Sequence, residues 1–267
     1  MNHILKEFKR RLSSGEAVYG PFMKTGDPAF VEACAFAGFD FMILDMEHGP
    51  NSLETTQNLV RAAIVGGALP VIRVRDRQAE SISQALDIGA LGIQVPQLTS
   101  PEEVREVIKA ARFVPDGQRG VCRFVRAANY SSMPRESYFK EANEALIILQ
   151  VEGKEAILNI DAILDEKGYD VLFVGPYDLA QAMGIPGQTD HPDLKSEIRK
   201  LLGKARKKNC SLGIFTDTIE AAREWKRLGV SYISWNVDVG IFYTACHESL
   251  RIIKTGDDTE NIQLRES

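Results

Sequence analysis

Eight short apolar runs, each followed by a polar or Gly/Pro break and a longer amphipathic stretch, constrain this chain more than any other feature. The runs are Val18–Phe22, Phe39–Asp45, Pro70–Val74, Gly92–Val95, Leu146–Val151, Val171–Val174, Leu212–Phe215 and Tyr232–Trp235. They are β-branched or aromatic and nearly continuous in hydrophobicity, as strands covered on both faces must be. Between them, Asp27-Pro28 and Ser100-Pro101 each place a capping side chain before a proline at the first helical position. Strands alternating with helices in this number predict an α/β protein of the (β/α)8 barrel type. An open doubly wound sheet would carry a glycine-rich dinucleotide turn after its first strand, and GPFMKTG does not have that spacing. The 267 residues also suit a single barrel, which takes about 250. Residues 1–254 therefore read as one barrel domain and 255–267 as a polar tail.

Composition removes several function classes. The net charge is −5 and no basic stripe carries interleaved aromatics, which argues against nucleic acid as a partner. The opening MNHILKEFKRRL lacks the apolar core of a secretory signal, and no stretch reaches the roughly 18 apolar residues of a membrane span. Cys34, Cys122, Cys210 and Cys246 lie far apart and form no CxxC, so they read as buried free thiols in a reducing cytoplasm.

In a barrel, the active site gathers residues from the C-terminal ends of strands. Here those ends are Lys24; Asp45, Glu47 and His48; Arg73; Gln97; Gln150 and Glu152; Asp178; Phe215; and Asn236. Apolar strands have no packing reason to end so often in ionisable groups. Glu152 and Asp178 close consecutive strands, and paired carboxylates with water suit a hard divalent ion. The plainer alternative is that both are solvated acids opening helices. His48, beside Asp45 and Glu47, is a general-base candidate. Arg73 needs an anion, supplied either by a substrate carboxylate or by Asp45 and Glu47. Lys24 stands as a rival Schiff-base nucleophile, although nothing near it in sequence would desolvate it. The long gap from Pro115 to Ala145 carries Arg119, Arg123, Arg126 and Arg135 and reads as a βα loop on the site's face.

These residues sit within recognisable segments: FDFMILDMEHGPN, PVIRV, ALGIQVPQLTSPEEV, QRGV, QVEGKEA, DVLFVGPYDLAQAMGIPGQTDHP and LGIFTDTIEAA. In this order, from about Lys6 to His247, the chain resembles the HpcH/HpaI family of class II pyruvate aldolases. The segments EHGPN and GPYDLA…MGIPGQ are the specific ones. The resemblance implies a divalent-metal-dependent aldolase (Mg2+, Mn2+ or Co2+) cleaving a 4-hydroxy-2-oxo acid to pyruvate and an aldehyde. It also implies Glu152 and Asp178 as metal ligands, Gln150 and the Tyr177 backbone at the pyruvyl group, His48 as proton acceptor, and Arg73 as charge stabiliser.

The family pairs its histidine with an aspartate matching Asp87 in QALDIGA. Asp87 precedes the fourth strand, at the far end of the barrel, so it would have to come from a neighbouring subunit. That fits a homo-oligomer, a hexamer in this family. Asp45 is expected to support the catalytic group, and Phe215 and Arg126 to meet the aldehyde, Arg126 through a distal carboxylate. Tyr177, Cys122 and Trp235-Asn236 depart from commoner family residues around the pocket, which leaves the aldehyde open. Rival readings are a CoA-ester lyase of the citrate-lyase β type, a phosphoenolpyruvate mutase, and a non-catalytic keto-acid-binding barrel. Retention of His48, Arg73, Glu152 and Asp178 together disfavours the last.

Overall fold

In a computed structural model, which describes residues 2–256, the eight runs form eight parallel strands that close in sequence order into a barrel. They are β1 Val18–Met23, β2 Phe41–Asp45, β3 Leu69–Arg73, β4 Gly92–Val95, β5 Leu146–Val151, β6 Val171–Val174, β7 Ser211–Thr216 and β8 Tyr232–Val237. Closure comes from β1 pairing with β8, in the register Val18 to Tyr232. No strand bound differs from the sequence expectation by more than two residues. Of the expected tail, 255–267, Thr255 ends the last helix and Gly256 caps it, and residues 257–267 lie outside the described residues.

Alternation along each strand divides the core in two. Met42, Leu44, Ile72, Ile93, Ile147 and Leu149 point outward into the helical layer. Phe41, Ile43, Leu69, Val71, Ile148, Phe173 and Tyr232 point inward and fill the barrel. The period of two along a pleated strand dictates this split. Gly213 makes room for the largest inward rings, since a Cβ there would lie 2.8 Å from Phe173 and 2.9 Å from Tyr232.

The N-terminal helix, Asn2–Ser13, closes the bottom of the barrel, with Leu5, Phe8 and Leu12 buried against the first residues of the strands. Phe8 meets Phe41 and Tyr232 edge-on, at 5.8 and 6.3 Å between ring centroids. The two capping expectations hold: the Asp27 side chain accepts from the Ala29 amide and Ser100 accepts from Glu103.

Two expectations need correction. The segment from Pro115 to Ala145 is not a βα loop. The Pro101–Ala111 helix already forms the crossover after β4, so the segment that follows lies at the opposite, N-terminal end of the strands. There it builds a small core of its own from Phe113, Ala128 and Tyr138. The cysteines are free, as expected, but only Cys34 and Cys210 are even partly buried; Cys122 and Cys246 are exposed.

Candidate active site

At the C-terminal rim, parallel pairing sets the end of β2 beside the end of β3, with Asp45 opposite Arg73. The result is a buried bidentate pair: Arg73 Nε donates to Asp45 Oδ1 at 2.9 Å and Nη2 to Oδ2 at 2.7 Å. Arg73 Nη1 lies 2.9 Å from Glu47 Oε2, and the guanidinium stacks 4.6 Å over the Phe22 ring. Of the two anions expected for Arg73, the structure shows the pair with Asp45 and Glu47. A guanidinium has five N–H groups, and each terminal nitrogen keeps a second one beyond these contacts, while Arg73 also lines the central cavity. Asp45 also accepts from the Glu47 and His48 amides, so it shapes the turn that carries the histidine. Burial pushes the Asp45 carboxyl up, but Arg73, the His48 amide and Lys24 together hold it below its ordinary value.

A second chain of contacts crosses the barrel mouth. Gln94 Nε2 donates to Gln150 Oε1 at 2.6 Å, and Gln150 Nε2 donates to Glu152 Oε2 at 2.5 Å. Gln97, whose backbone is left-handed (φ 57°), donates its amide to Glu152 Oε1 and its side chain to Glu47 Oε1. Glu152 is therefore held by a donor on each oxygen, from Gln150 and from the Gln97 amide, while nearly buried. Desolvation, aided by the charges of Asp178 and Glu47 and opposed by Gln150 and Arg73, pushes its carboxyl up to about 7. Gly175 is required here, because a Cβ would sit 2.6 Å from Glu152 Oε2. The backbone itself makes space for that carboxylate.

The rim holds two adjoining cavities. One, of about 450 Å³, is lined among others by Lys24, His48, Arg73, Gln150, Tyr177, Asp178, Phe215 and Asn236. The other, of about 280 Å³, is lined by Glu47, His48, Gln97, Glu152 and Asp178 among others. His48 and Asp178 belong to both. The His48 side chain is more than half exposed, with Nε2 3.9 Å from Glu47 Oε2. Lys24 stands 3.9 Å from Asp45 and is one-third exposed, so it is not desolvated as a Schiff-base amine must be.

The expected site residues therefore divide into two groups. His48, Arg73, Asp45, Gln150, Glu152, Tyr177, Asp178 and Phe215 meet at one rim. Asp87 and Arg126 lie at the other end of the barrel. Asp87 ends the helix before β4 and pairs with buried Arg119. The Arg126 stem packs over Gly89. Within one chain, Arg126 is not a pocket residue, because the segment that carries it follows a helix rather than a strand.

Sequence reasoning missed Asp217, Gln94 and Asp238. Asp217 lines the large cavity and accepts from the Tyr177 hydroxyl at 2.6 Å. That bond, with burial, pushes Tyr177 up to about 12. Its signal was a charge two residues past an apolar strand end. Gln94 was a lone amide inside a four-residue strand, and alternation places it inward. Asp238 accepts from the Lys24 and Thr25 amides and from Thr25 Oγ1.

Among the described residues, no group of three or more His, Cys, Asp or Glu is arranged to hold a metal. The carboxylates at the rim could nevertheless hold a hard cation. Glu152 is a buried acid whose neighbours Asp178 and Glu47 disfavour its charge, and oxygen donors with room for water are what such an ion takes. No described helix is long and apolar enough to cross a membrane.

Comparison with known proteins agrees with this geometry. The family model described as HpcH/HpaI aldolase/citrate lyase matches residues 19–245. The chain is similar to the 2-keto-3-deoxy-L-rhamnonate aldolase of Escherichia coli (strain K12), with 32% identity over 98% of this chain and 99% of that protein. Its fold matches the crystal structure of an HpcH/HpaI aldolase/citrate lyase family protein from Burkholderia cenocepacia J2315. That match has a TM-score of 0.89 at 31% identity, covering 93% of this chain and 99% of the other. An HpcH/HpaI aldolase from Desulfitobacterium hafniense DCB-2 superposes with a TM-score of 0.87 at 29% identity, covering 95% and 98%. A strand-end constellation of this kind, on a barrel matched along nearly its whole length, makes the chain a carbon–carbon lyase and a member of the HpcH/HpaI aldolase/citrate lyase family.

Proposed function

We propose that the chain reversibly cleaves a 4-hydroxy-2-oxo acid to pyruvate and an aldehyde, with Glu152 and Asp178 holding a divalent ion of the Mg2+, Mn2+ or Co2+ kind. The observation that carries this reading is the gathering of the buried Glu152 carboxyl with Asp178 and Glu47 around one cavity, beside another that receives Arg73 and Gln150. When bound, such an ion supplies positive charge to the keto and carboxylate oxygens of pyruvate.

The chain's own residues account for the rest. In the cleavage direction His48 takes the proton of the 4-hydroxyl. The C3–C4 bond breaks, the aldehyde leaves, and the electron pair remains on C3, delocalised onto the C2 oxygen. Returning a proton to C3 gives the methyl group of pyruvate. Arg73, locked by Asp45 and Glu47, presents fixed positive charge where that negative charge develops, which needs no reorganisation during reaction. The remaining Gln150 N–H faces the pyruvyl group, its amide held in one orientation by Gln94 and Glu152. His48 is exposed on one side, and Asp87 of a second copy of the chain is the group that would orient it. This makes the enzyme a homo-oligomer, a hexamer on the family pattern. Its free thiols suit a cytoplasmic enzyme.

Removal of the ion tests the reading. After exhaustive EDTA treatment, turnover should fall by about a thousandfold or more and return with Mn2+ or Mg2+, while Glu152→Ala should respond to neither. Undiminished activity without metal would overturn it. So would reductive trapping of pyruvate on Lys24 by borohydride.

A further inference from the structure

At the base of the barrel, one charged pair is only half used within its own chain. Arg119 Nη2 donates to Asp87 Oδ1 at 2.5 Å, and Asp87 is its one ionic partner among the described residues. The Arg119 side chain is 1% exposed and that of Asp87 25%. Asp87 Oδ2 takes no hydrogen bond among the described residues, so one carboxylate oxygen is fixed and the other stays free on a side chain that reaches the surface. Burying a guanidinium is costly, and a buried ion pair adds little stability that apolar side chains would not. Here the cation is the hidden member and the anion the open one. That asymmetry suits a cation that orients a carboxylate for use by another group.

The surroundings keep Arg119 in place. Its guanidinium lies 4.8 Å over the Phe113 ring, and its backbone amide donates to the Arg112 carbonyl. The turn before it is equally tight. Gln118 donates to the Lys109 carbonyl, and a Cβ on Gly117 would lie 2.5 Å from the Arg112 oxygen. Phe113 is clamped in turn by Asn143, whose side chain accepts from its N–H and donates to its carbonyl. Tyr138 packs edge-on against the same ring at 5.6 Å. The small core that follows the Pro101–Ala111 helix is thus a mount for one guanidinium, a group that is always charged and carries its donors in a rigid plane.

We propose that Arg119 is a positioning residue for the reaction: it fixes Asp87 Oδ1 so that Oδ2 accepts from the His48 imidazole of a second copy of the chain. This rests on the two-chain site proposed above and adds the group that makes its aspartate half rigid. A carboxylate held in one orientation keeps the imidazole in one tautomer and stabilises the imidazolium formed when His48 takes a proton. An aspartate free to turn about its own side-chain bonds does neither well. Arg119 therefore acts through Asp87, on the active site of the neighbouring chain rather than on that of its own.

The test is aldol addition of pyruvate, with added Mn2+, to whichever of glyceraldehyde and succinic semialdehyde the unaltered enzyme uses faster. Arg119→Met keeps the stem over Phe113 and removes the charge. It should lower kcat by about 10- to 100-fold with KM for pyruvate nearly unchanged, and Arg119→Lys should regain part of the loss. Adding Arg119→Met to Asp87→Ala should cost little more, because the two residues act as a unit. Co-refolded with His48→Ala, Arg119→Met should recover about a quarter of native activity, since an intact His48 then meets an intact Asp87–Arg119 pair. Co-refolded with Asp87→Ala it should gain nothing, both defects lying on the same half of the site. If Arg119→Met does not fold, Arg119→Lys carries the same mixtures. Native kcat in Arg119→Met, or no recovery with His48→Ala while the His48→Ala and Asp87→Ala mixture does recover, overturns the inference and leaves the two-chain site standing. Recovery in neither mixture overturns both.

Discussion

Glu152 shows how one side chain links stability, pH and ligand binding. Its ordinary carboxyl value of 4.5 is pushed to about 7, chiefly by burial. Below about 4.5 both folded and unfolded chains hold the proton. Between about 4.5 and 7 only the folded chain does, so raising the pH through that window removes stability. For the metal-free protein this group should contribute a loss on the order of 3 kcal/mol across the window, readable by denaturant titration. The same proton competes with a cation, so Mn2+ affinity should weaken by about tenfold per pH unit below about 7 and level off above it. A pH-independent Mn2+ affinity between pH 5 and 7 would contradict this account of Glu152. At this scale the sequence was informative wherever a polar group ended an apolar run. His48, Arg73, Gln150, Glu152 and Asp178 all came from that signal and all reach one rim. Asp217 escaped because its importance depends on Tyr177 reaching across from the next strand end, a contact 40 positions apart in sequence.

At the scale of elements, the strands were legible because both of their faces are buried, which leaves few ways to write them. The N-terminal helix was less so. Its charged, amphipathic sequence marked a helix, but nothing in it said that Leu5, Phe8 and Leu12 would stopper a barrel. Phe8→Ala tests that role. Removing a ring buried against Phe41 and Tyr232 should cost roughly 3–5 kcal/mol in unfolding free energy, with kcat of the folded enzyme nearly unchanged since the site is at the opposite rim. The segment after the Pro101–Ala111 helix was assigned to the wrong end for a definite reason. Its length suggested a loop leaving a strand, whereas the Ser100 cap and Pro101 had already started the crossover helix. Ends of a barrel are decided by which side of the crossover helix a loop lies on, and length alone does not reveal that.

For the whole molecule, the division of predicted residues between two ends of one barrel is the informative fact. Asp87 ends a helix at the base, held by Arg119, while His48 stands half-exposed at the rim. If a second copy brings its base to this rim, each site is made by two chains. His48→Ala and Asp87→Ala should then each be nearly inactive alone. Co-refolded as a mixture, they should recover about a quarter of native activity where an intact histidine meets an intact aspartate. Failure of every mixture to recover activity would refute the shared site. Resemblance supplied the pairing; the geometry of one barrel supplies the reason that Asp87 could meet His48 only from another copy.

The claim on which the rest depends is the divalent ion at Glu152 and Asp178, next to the pocket proposed for pyruvate. Crystals soaked with Mn2+ and oxalate, a stable mimic of the pyruvate enolate, test it by anomalous scattering. The account predicts one strong peak bridging Glu152 and Asp178, with oxalate completing the shell and its far oxygens toward Arg73 and Gln150. A peak elsewhere, or oxalate bound at that rim with no cation beside Glu152, would contradict it.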